Sequence, residues 1–379
     1  MIGMLDTFPR HWMAEEEKEK DWLELPAELI HLIAKKLPDL LDFIRFRAVC
    51  KTWRSSTLLS DPPYQLPWLL ELSQTEYCPQ GTLRPQQRFF SISSGETITI
   101  AFTNIKTALE KWIKGGVCSH YLAFSDDKIM SFFNPLTKDL FLLPPMRYFL
   151  YLGAPCMVWT GTAPIHDRSI VVLDRTDSLW NDNIAVGAFY DPYKSKWVYQ
   201  FGQFNSSCYL KGMFFSTCAR GPTKVFDAYS NELLHTVLPP DNELTDNPFD
   251  GNEVNELPRH FITLKQSFLV VSLGVILRVS WFHGWCAKGS LFNIYRLHYE
   301  TADGTPFWVR IHDIGDQTLF LEEVNGFSMT ARPSTGFREG CIYFIDPHND
   351  EPYMHDILAG TVERMPCPFK RCTWFLPGL

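Results

Sequence analysis

The sequence predicts a short helical head in front of a long all-β body, and three observations carry that reading. Apolar residues recur at helical spacing between Asp21 and Ser56, and the rest of the chain lacks that period. From about Pro62 onward, short β-branched and aromatic runs are punctuated by Pro, Gly, Asn and Asp. One turn chemistry, an aromatic strand ending in an Asn or Asp, returns four times along the body.

In the head, Leu25, Leu29, Ile30, Ile33 and Leu37 mark an amphipathic helix, with Pro26 at a tolerated first-turn position and Pro38 closing the segment. After Asp39 to Asp42, a second apolar stripe runs through Phe43, Phe46, Val49, Cys50 and Trp53, with Arg45, Arg47, Lys51 and Arg54 on the other side. Two short helices with strong apolar faces are therefore expected. A segment of about 35 residues cannot bury such faces within itself, so something must cover them. Periodicity alone leaves two choices open, the following domain or a separate partner.

In the body, strands are expected at Thr97 to Thr103, Ser169 to Leu173, Ile184 to Tyr190, Phe268 to Leu273, Leu291 to Leu297 and Cys341 to Ile345. Phe132 to Lys138 (FFNPLTK) and Phe189 to Lys194 (FYDPYK) each lead into a returning strand, and Val225 to Ser230 and Tyr343 to Pro347 repeat the grammar. A short acid or amide bonds the turn backbone and Pro presets φ, so each unit reads as a hairpin. Hairpins repeated over the body suit four-stranded blades of about 40 to 50 residues, giving a β-propeller of six or seven blades. The competing architecture is a pair of β-sandwiches with the same turn chemistry.

The chain has 379 residues, 45% hydrophobic and 15% aromatic, enough to bury a large core. Its formal net charge of −8, with scattered Lys and Arg, offers no footprint for nucleic acid. The longest apolar runs, such as Phe268 to Leu277, fall well short of the roughly 20 residues that span a bilayer, so no membrane partner is expected. The first 24 residues hold the run Glu15 to Lys20 (EEEKEK) and no secretory pattern, and Met13 reads as a second start, which would make residues 1–12 dispensable. Ten cysteines without a CxxC fit reduced thiols in the cytosol or nucleus.

The residues of the head carry a resemblance. Leu25-Pro26, Leu29-Ile30, Ile33, Leu37-Pro38 and the run Arg45 to Arg54 (RFRAVCKTWR) closely resemble the F-box, in order and in register. The resemblance implies docking on a Skp-type adaptor, and through it a link to cullin and RING subunits, with Leu25, Pro26, Leu29, Ile30, Ile33, Val49, Cys50 and Trp53 as the adaptor contact. It implies a flexible extension at 1–20, an F-box of three short helices at 21–60 and the β-propeller body at 61–379.

The body carries a second one. Val309 to Leu321 (VRIHDIGDQTLFL), Phe327-Ser328-Met329, Gly340 to Asp346 (GCIYFID) and Cys372 to Phe375 (CTWF) resemble the KIB-type domain of plant F-box proteins. The match holds over about 290–379, with support from the Asn134 turn, and is loose between about 155 and 290. Where that pattern often has Gly after the LFL run, this chain has Glu322-Glu323, and Asp241 to Glu256 forms an acidic, insertion-like stretch.

Catalytic signatures are missing: there is no GxSxG, P-loop, GxGxxG or HExxH. His283 and Cys286 form a lone HxxC, better read as a packed His and a buried thiol than as half a zinc site. His348 and His355, with Asp346, Asp350 and Asp356, are read as solvated turn residues and not as a cation site. No cofactor and no metal are expected. The leading expectation is therefore a non-catalytic substrate receptor of a ubiquitin ligase, presenting an unknown target on the propeller. The rival is a propeller enzyme or carbohydrate-binding protein whose helical head is only a cap, which predicts a head packed on the body and convergent carboxylates or His on the channel.

Overall fold

The computed structural model describes residues 22–37, 39–59, 61–63, 65–72, 86–101, 111–118, 120–126, 129–145, 155–158, 170–174, 185–191, 196–202, 206–218, 220–228, 230, 232–240, 262–284, 291–299, 304–322, 326–332, 335–346 and 349–378. A 3-10 turn (Trp22–Glu24) leads into α1 (Ala27–Lys35), α2 (Leu40–Ala48) and α3 (Lys51–Ser55). Pro26 stands just ahead of α1 with φ −56° and ψ 143°, where a missing N–H costs nothing, and its carbonyl accepts from Leu29 and Ile30. Asp39 is extended and caps α2, its Oδ1 accepting from Leu41 N at 2.8 Å. The second apolar stripe is divided between α2 and α3 at Cys50, whose φ of −156° leaves the helical region and whose Sγ accepts from Trp53 N at 3.4 Å.

The body is all β. Its strands are β1 (Trp68–Glu71), β2 (Gln86–Ser91) and β3 (Thr97–Ala101) in a first sheet, and β4 (Lys111–Cys118), β5 (Tyr121–Asp126), β6 (Ile129–Phe133) and β7 (Leu140–Leu142) in a second. A third holds β8 (Pro155–Val158), β9 (Ile170–Asp174), β10 (Ala185–Asp191) and β11 (Lys196–Gly202), and a fourth β12 (Ser206–Leu210), β13 (Met213–Thr217), β14 (Thr223–Asp227) and β15 (Leu233–Val237). β16 (Ile262–Ser272), β17 (Val275–Gly284), β18 (Leu291–Tyr299) and β19 (Pro306–Ile311) make the fifth. The sixth joins β20 (Gln317–Leu321), β21 (Gly326–Thr330), β22 (Cys341–Asp346), β23 (Glu351–Asp356) and β24 (Thr361–Arg364), while β25 (Cys372–Phe375) returns to the first sheet beside β1.

Neighbouring sheets meet in cyclic order: β25 beside β4, β4 beside β8, β8 beside β12, β12 beside β16, β16 beside β21, and β22 beside β25. That closed ring is a propeller and rules out the pair of sandwiches. Among the described residues the strands make six sheets, five of four strands and one of five, and no seventh. Each of the six stretches expected as strands overlaps one, although residues 102, 103, 169 and 184 lie outside the described residues and Leu273 falls in the turn after β16.

The Asx turns fall where the sequence grammar places them, between the third and outermost strands of their sheets. Asn134 Oδ1 accepts from Leu136 N at 2.9 Å and Thr137 N at 3.2 Å, and Asp227 Oδ1 accepts from Ser230 N at 2.7 Å. The fourth turn, after Asp346, sits at the opposite end of the ring. β21 folds inward as a hairpin from β20, so β22 pairs parallel to β20 and its sheet runs reversed from there outward. The LFL, FSM and IYF segments singled out in the sequence are these three strands.

Head and propeller share one core. Leu40 and Phe43 of α2 and Ala34 of α1 are buried in the same apolar cluster as Trp68, Leu70, Phe89, Leu122, Phe133 and Phe375. The head therefore sits on the first two sheets, at the end of the ring that carries the turn between β2 and β3. No helix among the described residues is long and apolar enough to cross a membrane.

Candidate functional site: the outer face of the head

α1 is apolar on two sides. Ile30 and Ala34, one turn apart, are 0% and 1% exposed and point into the core. Leu29 and Ile33, also one turn apart, stand on the other side at 46% and 38% exposure, with Leu32 at 55% and Pro26 exposed. A helix of nine residues that buries one apolar stripe and leaves a second in water is incompletely covered by its own chain.

Of the eight residues expected at an adaptor contact, Pro26, Leu29, Ile33 and Val49 are exposed, and Leu25, Cys50 and Trp53 are half-buried. Ile30 is a correction: its side chain is enclosed by the fold and is unavailable to a partner without repacking. Leu32 and Trp22, at 64%, were not singled out from the sequence, yet both are open. Leu32 follows Leu29 by three, a helical neighbour that the spacing could have flagged.

The half-buried residues are set by α3. The Trp53 ring lies 4.3 Å from that of Phe46, centroid to centroid, and its Nε1 donates to Trp22 O at 3.3 Å. Arg47 lies over the Phe43 ring at 5.7 Å and donates to Thr57 Oγ1 at 3.0 Å. Burial, and then the neighbouring Arg54 cation, pull its pKa below the ordinary arginine value. These contacts brace α3 against α2 behind the exposed face.

A cleft of about 750 Å³ opens beside the head at the mouth of the ring, between Lys35 and Pro62 on one side and Leu273, Phe327, Met329 and Arg332 on the other. Among the described residues that line it, none is Asp, Glu or His. Among the described residues no group of three or more His, Cys, Asp or Glu is placed to hold a metal ion. His355 is a further correction: it is buried on β23 opposite Ile342, not solvated in a turn, and burial lowers its pKa. His348, the His283 side chain and Cys286 lie outside what is described.

The two discriminating features of the sequence reading are thus split. The head is packed on the body, as a cap would be, but its outer face is bare, as a docking surface would be.

Comparison with known proteins resolves the family. Residues 22–61 match the family described as F-box domain, and residues 89–362 match the KIB1-4 beta-propeller. An Arabidopsis thaliana putative F-box protein, At5g66830, is 21% identical over 94% of this chain and 93% of its own length. The Arabidopsis F-box protein At3g56470 is 25% identical over 57% of each chain, and the Arabidopsis F-box protein SKIP23 is 45% identical over 12% of this chain and 11% of its own. Among solved structures, the N-terminal domain of Nup159 covers 76% of this chain and 86% of its own at 9% identity, with a TM-score of 0.34. An oligogalacturonate lyase in complex with manganese covers 74% and 70% at 9% identity, with a TM-score of 0.36. With a matched profile over most of its body and a second on its head, the chain belongs to the KIB1-4 β-propeller family of plant F-box proteins.

Proposed function

We propose that this chain is the target-recognition subunit of a Skp-cullin-RING ubiquitin ligase, non-catalytic in itself, with the α1 face as its adaptor seat. The observation that carries the reading is the bare stripe of Leu29, Leu32 and Ile33 within the matched F-box, on a helix whose opposite stripe is already buried. Burying what remains exposed of this stripe against a partner contributes roughly 1 kcal/mol per side chain, so the three together supply an apolar anchor for an interface. Catalysis is then by proximity: holding a target lysine near the charged ubiquitin carrier raises its effective concentration.

The target is presented away from the head. The head covers the ring at the end marked by the β2–β3 turn, and the C-terminal residues reach the same end, where Asn134 Nδ2 donates to Gly378 O at 3.0 Å. The far end, where β1 ends at Glu71 and β16 begins at Ile262, is opposite. Strand alternation brings the ends of β1, β15 and β17 and the starts of β2, β16 and β18 to that far side, and the target surface belongs there. The chain works in the cytosol or nucleus, with free thiols.

A pull-down with a purified plant Skp-type adaptor tests this reading. Wild type is expected to bind and a Leu25→Ala, Pro26→Ala double variant, checked for folding by circular dichroism, to lose binding. A folded wild type that captures no adaptor would overturn the proposal.

A further inference from the structure

The contact that holds the head to the propeller is more specific than an apolar cap needs. Asp39 is 1% exposed, and its two carboxylate oxygens do different work. Oδ1 caps α2 through Leu41 N, while Oδ2 accepts from the hydroxyls of Ser91 and Ser93, the latter at 3.0 Å, in the segment that turns β2 into β3. A carboxylate taken out of water needs its lone pairs satisfied, and these are satisfied half by the head and half by the propeller. Beside it Arg45 reaches Glu96 at 2.9 Å, and Lys35 ties α1 to the linker ahead of β1, pairing with Asp61 and donating to Pro62 O at 3.0 Å. Apolar packing of Phe43 and Leu40 on Phe89 and Phe375 supplies attraction without direction. The Asp39 bonds supply direction, because a rotated head would leave a buried charge unpaired.

We propose that Asp39 is a latch that fixes the head on the propeller at one angle, so that the two move as a single rigid body. Resting on the adaptor reading, its consequence is that the adaptor seat stays at a constant distance from the far end of the ring, so the reach to a target lysine is set by the fold and not by a tether. The rigidity itself stands independently of that reading.

Hydrogen exchange by mass spectrometry on the full chain tests it, comparing wild type with Asp39→Ser and with the double change Ser91→Ala, Ser93→Ala. The serine at 39 keeps a capping hydroxyl but lacks the second oxygen, and the double variant leaves the cap intact should Asp39→Ser fail to fold. In wild type, α2 amides are expected to exchange at the rate of β1 and β2 amides; in either variant they accelerate about tenfold or more while β17 and β18 are unchanged. Adaptor affinity of the variants stays within about threefold of wild type. Wild-type α2 amides exchanging about tenfold faster than β1, or folded variants indistinguishable from wild type, would overturn the latch. Failure of wild type to bind adaptor while α2 and β1 exchange together would remove the adaptor reading and leave the latch standing.

Discussion

α1 and α2 look alike in the sequence, each nine residues long with a strong apolar stripe, and they end in opposite situations. α2 spends its stripe inside the molecule: Leu40 and Phe43 complete a cluster that the first two sheets would otherwise leave open. α1 commits only Ile30 and Ala34 inward and keeps Leu29, Leu32 and Ile33 outside. The difference teaches that amphipathic spacing states how much surface must be covered and leaves open what covers it. Here one head does both: α1 leaves an apolar face in water, and α2 buries its own against the propeller.

The comparison breaks most visibly at Phe43. Phe43→Ala removes a ring that is 1% exposed and is expected to cost about 3 to 5 kcal/mol in denaturant unfolding. Leu29→Ala, Ile33→Ala on α1 is expected to shift the same unfolding midpoint little, by about 0.5 kcal/mol or less per site, because both side chains already face water. Its effect belongs to binding: a loss of about 2 kcal/mol or more, near 30-fold in adaptor affinity by calorimetry. A Phe43 variant that stays as stable as wild type, or a Leu29/Ile33 variant that unfolds, would erase the distinction between the helices.

Two changes in the propeller sharpen it by moving stability alone. Gly326→Ala would put a Cβ 2.6 Å from Val270 Cγ2 and 3.0 Å from Leu321 Cδ2, where the fifth and sixth sheets meet. Overpacking of this kind is expected to cost about 1 to 3 kcal/mol by thermal unfolding with adaptor affinity unchanged. Leu273 is 74% exposed in the β16–β17 turn at φ +48°, followed by Gly274 at φ +73°. Leu273→Asn gives the Asn-Gly pair such turns favour and is expected to stabilise by up to about 1 kcal/mol, read as a raised unfolding midpoint. The smallest effect falls at the exposed Arg45–Glu96 pair, where Arg45→Ala should leave the unfolding midpoint unmoved.

Much of this architecture was legible because it is written in local chemistry. The helical period, the Asx turns and the LFL, FSM and IYF segments each act within a few residues, and each lands on its element. Asn134, Asp191 and Asp227 each stand at or just after the end of the third strand of a sheet, and they are unevenly spaced because the third sheet has longer loops between its own strands and a longer connection ahead of it. What stayed hidden depends on distant partners. Cys372 to Phe375 entered only as part of the KIB-type pattern, yet β25 pairs with β1, some 300 residues away in the chain, and closes the ring. Ile30 and Leu29 are adjacent and equally apolar, and only the packed fold separates inward from outward. Asp39 stood only at the start of the short stretch before the second stripe, because the two serines that share its other oxygen lie on a strand and turn about 50 residues on. His355 was grouped with its acidic neighbours as a turn residue, yet it lies on β23, buried and opposite Ile342 of β22.

The most direct test of the account is calorimetric titration of purified Skp-type adaptor into the full chain, wild type against Leu29→Ala, Ile33→Ala, with both proteins matched for unfolding midpoint. The account predicts a saturable wild-type isotherm and an affinity weaker by about 30-fold or more in the variant. Equal affinities for the two folded proteins, or no binding by either, would contradict the assignment of α1's bare face as the adaptor seat.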